Sequence, residues 1–141
     1  MKIRNYQDND FVSLIDLLRS CNLYNPQYDK REMIQRKSGA DSDSIILAVQ
    51  GTQIVGCIFF IYDPWSSFIY HLGVVPEHQN KGIATALLKE AEARLYKRGT
   101  NPVTLFVIKE NKHGFNFFKK RGYGGEFLTW CFEKQEKKQD K

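Results

Sequence analysis

The chain has 141 residues, of which 42% are hydrophobic and 26% charged, and it carries a net charge of +5, a size and balance suited to a globule with one core. No apolar run approaches the ~20 residues of a membrane span, and no signal segment follows Met1-Lys2-Ile3-Arg4-Asn5-Tyr6, so the expected location is the cytoplasm, with no membrane partner. The three cysteines (Cys21, Cys57, Cys131) and three histidines (His71, His78, His113) form no metal-ligand spacing; no metal is expected, and the thiols, each among apolar neighbours, are expected to be buried and free.

In chain order, Lys2 to Tyr6 alternates apolar and polar residues and predicts a short strand. Asp8 or Asp10 can cap the next helix, where Phe11, Leu14, Ile15, Leu18 and Cys21 keep the 3.6-residue period. Asn22 to Pro26 breaks that helix, and Asp29 to Lys37 predicts a second, short one. Ser44 to Val49 and Gln53 to Tyr62 predict strands around the hairpin signal Gly51-Thr52. After the turn Asp63-Pro64-Trp65-Ser66-Ser67 comes a strand from Phe68 to Val75, stopped at Pro76. A helix from Gly82 to Lys97 places Ile83, Leu87, Ala91 and Leu95 on one face and ends at Arg98-Gly99. Val103 to Ile108 predicts a strand, Asn111 to Arg121 a helix, and Glu126 to Phe132 a final strand. Hairpins followed by βαβ imply an α+β (mixed α/β) fold, a mixed sheet covered by helices. Residues 1–133 are expected to form a single domain and 134–141 a charged tail.

The most specific segment joins the Phe68–Val75 strand to the following helix. There Gln79-x-x-Gly82-x-Ala84 puts small residues where the chain turns into the helix. A helix start offers unpaired N–H groups and about half a positive charge. Small side chains let an anion reach those groups, and Lys81 adds a full charge, which makes the segment either a phosphate cradle or a plain strand-to-helix turn. It has neither the Gly-x-Gly-x-x-Gly of dinucleotide folds nor the ending of a P-loop.

The residue order Val-x-Pro-Glu-x-Gln-x-Lys-Gly-Ile-Ala-x-x-Leu-Leu from Val74 to Leu88 resembles the acetyl-CoA motif of the GNAT superfamily of N-acetyltransferases. Asn111-x-x-Gly114-x-x-Phe117-Phe118-x-x-x-Gly122-Tyr123 is similar to that family's second signature. The strand Leu72-Gly73-Val74 and the segment Gln35-Arg36-Lys37 also resemble a small bacterial YpeA-like subgroup. The resemblance implies a central twisted mixed sheet, splayed between the fourth and fifth strands, with acetyl-CoA in the gap. It implies transfer of acetyl from acetyl-CoA to a primary amine by direct attack in a ternary complex; the acceptor is a small molecule or a protein amine, and a homodimer is compatible with it. The coenzyme is expected against the backbone of Leu72, Gly73, Val74 and Val75. Its pyrophosphate is expected over Gln79, Asn80, Lys81, Gly82, Ile83 and Ala84, with the Thr85 hydroxyl as a donor and Asn111 and Phe118 nearby.

Two positions depart from the family pattern. Its frequent general acid, a Tyr, is replaced by Phe118, and a common Glu base five residues before Asn111 is replaced by Phe106. Tyr123 is a substitute acid or a core residue. His71 is a candidate general base, with a pKa range suited to the role, or a structural histidine. Because side chains alternate along a strand, one of Tyr70 and His71 is expected on the helix side and the other on the substrate side. Glu77 and Glu110, in loops flanking the cleft, read as solvated carboxylates, and Asn111 either bonds backbone or coenzyme or is a helix N-cap. Tyr24, Tyr28, Tyr62 and Trp65 lie in loops where an acceptor pocket forms in the family. The alternative to an enzyme is a non-catalytic acyl-CoA-binding protein, which Phe106 and Phe118 favour. The basic balance raises a nucleic-acid reading, but its charges are scattered and no recognition motif accompanies them, so no nucleic-acid partner is expected.

Overall fold

In the computed structural model, which describes residues 1–138, the apolar runs become one sheet with strand order β1-β2-β3-β4-β5. The strands are β1 (Lys2–Asn5), β2 (Ile45–Gln50), β3 (Gln53–Ile61), β4 (Ser67–Val74) and β5 (Val103–Leu105). The helices are α1 (Phe11–Ser20), α2 (Arg31–Ala40), α3 (Ile83–Lys97) and α4 (Lys112–Lys119), with short 3-10 turns at Asp8–Asp10 and Pro76–His78. The first four strands pair antiparallel and β4–β5 is parallel. Two compact units divide the chain: Met1–Phe106 holds the whole sheet and α1 to α3, and a second, beginning at Val107, holds α4.

The central strands are buried on both faces because helices cover both. Gly56 and Val74 are a cross-strand pair, as are Cys57 and Gly73. A Cβ at Gly56 would meet Leu87 and Ile83 of α3, whereas one at Gly73 would meet Cys21 and Leu23 at the end of α1. Successive residues face opposite sides, so α1 and α3 cover opposite faces. α3 buries the predicted stripe Ile83, Leu87, Ala91 and Leu95, and Leu88 beside it, each large side chain contributing about 1.5–3 kcal/mol.

Several expectations are corrected. Asp10 does not cap α1 with its side chain. Its carboxylate accepts instead from Arg4 at 2.7 and 2.9 Å and from the Gln7 N–H, an ion pair that holds its pKa below the usual carboxylate range. Glu126 to Phe132 forms no strand. Strand preference is a preference for a pleated, partly buried surface; no strand pairs with this segment among the described residues, and Phe127, Leu128, Trp130 and Phe132 are 78–88% exposed. Of the cysteines only Cys57 is buried; Cys21 is intermediate and Cys131 exposed. No helix among the described residues is long and apolar enough to cross a membrane.

Candidate active site

The parallel pairing of β4 with β5 is brief. It covers Ser67 to Ile69 against Val103 to Leu105, so beyond Ile69 the edge of β4 has no strand beside it among the described residues. The Val75 N–H donates to the Val55 carbonyl at 2.9 Å. Backbone groups alternate in direction along an antiparallel strand, so those of Val74 face away from β3, toward the gap. The Val74 carbonyl accepts from the Gln79 side-chain amide at 3.0 Å and the Cys21 thiol at 3.3 Å. Burial raises the Cys21 pKa, keeping it a neutral donor.

The loop after β4 turns sharply into α3. Asn80 and Gly82 have φ of +61° and +81°, and Gly82 is the helix N-cap. That left-handed value suits glycine, which has no Cβ to clash with the following carbonyl. A Cβ at Gly82 would meet nothing within 4 Å, so the space above the turn is open. The Gln79 N–H is used by the Pro76 carbonyl at 3.3 Å, and the first backbone bond of the helix runs from Ala86 to Gly82. Between them the N–H groups of Asn80, Lys81, Gly82, Ile83 and Ala84 have no backbone acceptor among the described residues. A left-handed turn leading into a helix leaves N–H groups that can receive an anion, an arrangement into which a coenzyme pyrophosphate would fit. The role of Gln79 differs in kind from its neighbours: its side chain ties the loop to β4.

A β-bulge sits next to the gap. Cys57 pairs with Gly73 and Phe59 with Tyr70, so His71 and Leu72 together oppose Ile58. His71 takes a φ of +47°, unusual for a residue with a Cβ. The bulge breaks the alternation expected for Tyr70 and His71. Tyr70 shares the face of its pair partner Phe59, and the Phe59 ring meets the His71 ring edge-on at 5.0 Å. Both side chains therefore lie on one face of the sheet, a result no period-2 pattern gives. On that face the His71 Nε2 lies 3.1 and 3.2 Å from the two carboxylate oxygens of Asp29, which is 3% exposed. The Asn25 N–H donates to that carboxylate, and the Asp29 N–H returns a bond to the Asn25 carbonyl, both at 2.8 Å.

Sequence reasoning missed Asp29. Its only local signal is an aspartate closing the turn that begins at Asn25-Pro26, amid Tyr24 and Tyr28. Phe106, where the family pattern suggests Glu, stacks nearly parallel on Phe68 with centroids 5.6 Å apart, and Tyr70 lies 6.2 Å from Phe68. Of the loop aromatics, Tyr24 lies under Arg19 and Trp65 is 93% exposed. Tyr62 belongs elsewhere: it bonds the Arg98 carbonyl at 3.4 Å. It also lines a cavity of about 430 Å³ with Lys37, Asp41, Ser44, Phe60 and Arg98, which includes no cradle residue. There Lys37 donates to the Phe60 carbonyl, and burial pulls its pKa down to about 8.

The second unit carries the second signature. Asn111 caps α4, its side chain accepting from the Gly114 N–H at 2.9 Å. The Phe118 ring packs edge-on against Phe117 and Tyr123, at 5.1 and 5.5 Å, and Arg121 stacks on Phe117 at 3.6 Å.

Comparison with known proteins agrees with this architecture. The coenzyme A complex of the PaiA N-acetyltransferase of Thermoplasma acidophilum shares the fold at a TM-score of 0.80 and 24% identity, over 91% of this chain and 92% of that one. An acetyltransferase of Sodalis glossinidius is 33% identical over 123 residues, 87% of each chain. One of Photorhabdus laumondii is 37% identical over 111 residues, 79% of this chain and 78% of its own. Residues 11–123 match the acetyltransferase (GNAT) family, and with the splayed sheet and its cradle these matches show that the chain belongs to it.

Proposed function

We propose that the protein moves an acetyl group from acetyl-CoA to a primary amine by direct attack in a ternary complex. The observation that carries this reading is the open nest at Asn80 to Ala84, set beside the unpaired end of β4. Acetyl-CoA supplies an activated thioester whose leaving thiol has a pKa of about 8.5, a tolerable leaving group without a protein acid. The nest holds the coenzyme's phosphates through Asn80 to Ala84, with Lys81 adding charge and Thr85 a hydroxyl. Within the Leu72 to Val75 segment the backbone of Val74 faces the gap and aligns the coenzyme's amide-bearing arm, and the N–H there stabilises negative charge on the carbonyl oxygen, a contribution of about 3 kcal/mol per donor. His71 is the base. Phe68, Tyr70 and Phe106 give the acceptor an aromatic wall on the same face.

The stacked Phe106, where the family pattern commonly has a Glu, supports the second reading, an acyl-CoA-binding protein without turnover. A panel of α-amines, lysine peptides, polyamines and aminoglycosides, with release of free thiol as the readout, separates the two. Thiol release that tracks acetylated amine establishes the transferase. Tight coenzyme binding with no amine-dependent thiol across the panel would overturn it in favour of the binding protein.

A further inference from the structure

We infer that Asp29 is a positioning residue for acetyl transfer: its buried carboxylate fixes the His71 ring and its tautomer so that Nδ1 is the atom that takes the amine's proton. The inference rests on the transferase reading and names a residue outside both family signatures. Three observations carry it. Asp29 is almost wholly enclosed, yet among the described residues its carboxylate meets two partners, the Asn25 N–H and His71 Nε2. A carboxylate only accepts, so Nε2 must carry the hydrogen and neutral His71 must hold its lone pair on Nδ1. That Nδ1 has no hydrogen-bond partner among the described residues, and with the side chain 22% exposed it is the nitrogen left to meet a substrate.

The backbone is shaped to make the contact. A regular strand would send Tyr70 and His71 to opposite faces; the bulge and the left-handed φ of His71 bring both to the face that carries Asp29. A non-glycine residue there costs about 1–2 kcal/mol, and such strain persists where surrounding contacts over-determine it. The Phe59 ring packs against one side of the imidazole, and the Cys57 thiol bonds the His71 carbonyl at 3.2 Å. Asp29 is 42 residues away in sequence, so the pair also pins the loop between α1 and α2 to the strand beside the coenzyme gap. In the transfer, the amine nitrogen forms a bond to the acetyl carbon as the carbon–sulfur bond breaks. The proton lost by nitrogen passes to Nδ1, and the sulfur leaves as thiolate, to be protonated from water. The imidazolium so formed is stabilised by the adjacent Asp29 charge.

Nitrogen-15 NMR of the full-length protein tests the tautomer first. The wild type should show His71 with hydrogen on Nε2 and a bare Nδ1, and Asp29→Asn should convert this into a mixture. Steady-state kinetics test the role: Asp29→Asn should lower kcat about tenfold or more and leave KM for acetyl-CoA unchanged. In a His71→Ala background it should cost nothing further, because partners in one unit do not lose activity additively. A wild-type Nδ1–H tautomer overturns the inference, and needs no variant to fold. So does an equal loss of kcat from Asp29→Asn with and without His71, which would mark a purely structural loop anchor. A wild type that binds coenzyme A but acetylates no amine overturns the transferase reading and the base role with it, whereas the tautomer measurement alone decides whether Asp29 sets the ring.

Discussion

Gly82 is where the proposed coenzyme site can be tested most sharply, because the structure separates backbone strain from ligand repulsion. Its φ is +81°, and a Cβ placed on it meets nothing within 4 Å. Alanine there brings strain of about 1–2 kcal/mol and no clash. Glutamate brings the same strain and adds a negative charge over the N–H groups of Lys81 to Ala84. A carboxylate about 4 Å from a phosphate repels it by roughly 4 kcal/mol at an effective dielectric of 20, or about a thousandfold in affinity. The side chain can swing partly into solvent, so an observed loss of at least about a hundredfold relative to alanine is the expectation. Calorimetric titration of coenzyme A into wild type, Gly82→Ala and Gly82→Glu measures this, with thermal melting alongside. The two variants should melt alike, below wild type, and differ in affinity; the gap should narrow as salt rises, since screening lengths fall to about 10 Å at 0.1 M. Equal coenzyme affinity in Gly82→Glu and Gly82→Ala would refute the placement of phosphate at this turn.

Lys37 offers a stability test. Its pKa lies near 8 rather than 10.5, so between those values the unfolded chain binds more protons, and this group makes stability rise with pH. Below pH 8 the buried cation costs the fold up to about 3 kcal/mol. Lys37→Met should therefore be more stable than wild type at pH 7, by about 1–2 kcal/mol after loss of the bond to the Phe60 carbonyl, and the advantage should vanish by pH 10. Urea titrations at the two pH values check it; an advantage independent of pH would show that the amine is not desolvated. Arg98 pairs with Asp41 at 2.6 and 3.0 Å and with Asp43 at 3.2 Å, and lies over the Phe60 and Tyr62 rings. Arg98→Ala should cost about 1–2 kcal/mol at pH 7. The Arg98 bond holds the Asp41 pKa below 3.8, so this stability is present above that value and lost as pH falls through the lowered one. The gap between wild type and Arg98→Ala in denaturant midpoints should accordingly shrink on acidification toward pH 2, and a gap that widens would contradict the pairing.

Local patterns determined much of this protein. The four-residue spacing of Ile83, Leu87, Ala91 and Leu95 defined the buried stripe of α3, because one helix face can be read from adjacent turns. The small residues between Gln79 and Ala84 marked the turn into α3, because a left-handed turn has a local requirement that glycine meets. Asn111 was legible as the cap of α4 for the same reason. What required the tertiary structure is whatever depends on partners distant in sequence. The bulge that turns Tyr70 and His71 to one face arises from how β4 registers against β3. The carboxylate that meets His71 comes from a loop two strands earlier in the chain. Gln79, expected as part of a cradle, has its side chain on the Val74 carbonyl, a contact set by how the loop folds back. The failed strand at Glu126 to Phe132 teaches the converse: its residues prefer a sheet, but a strand exists only where another lies beside it to complete its hydrogen bonds.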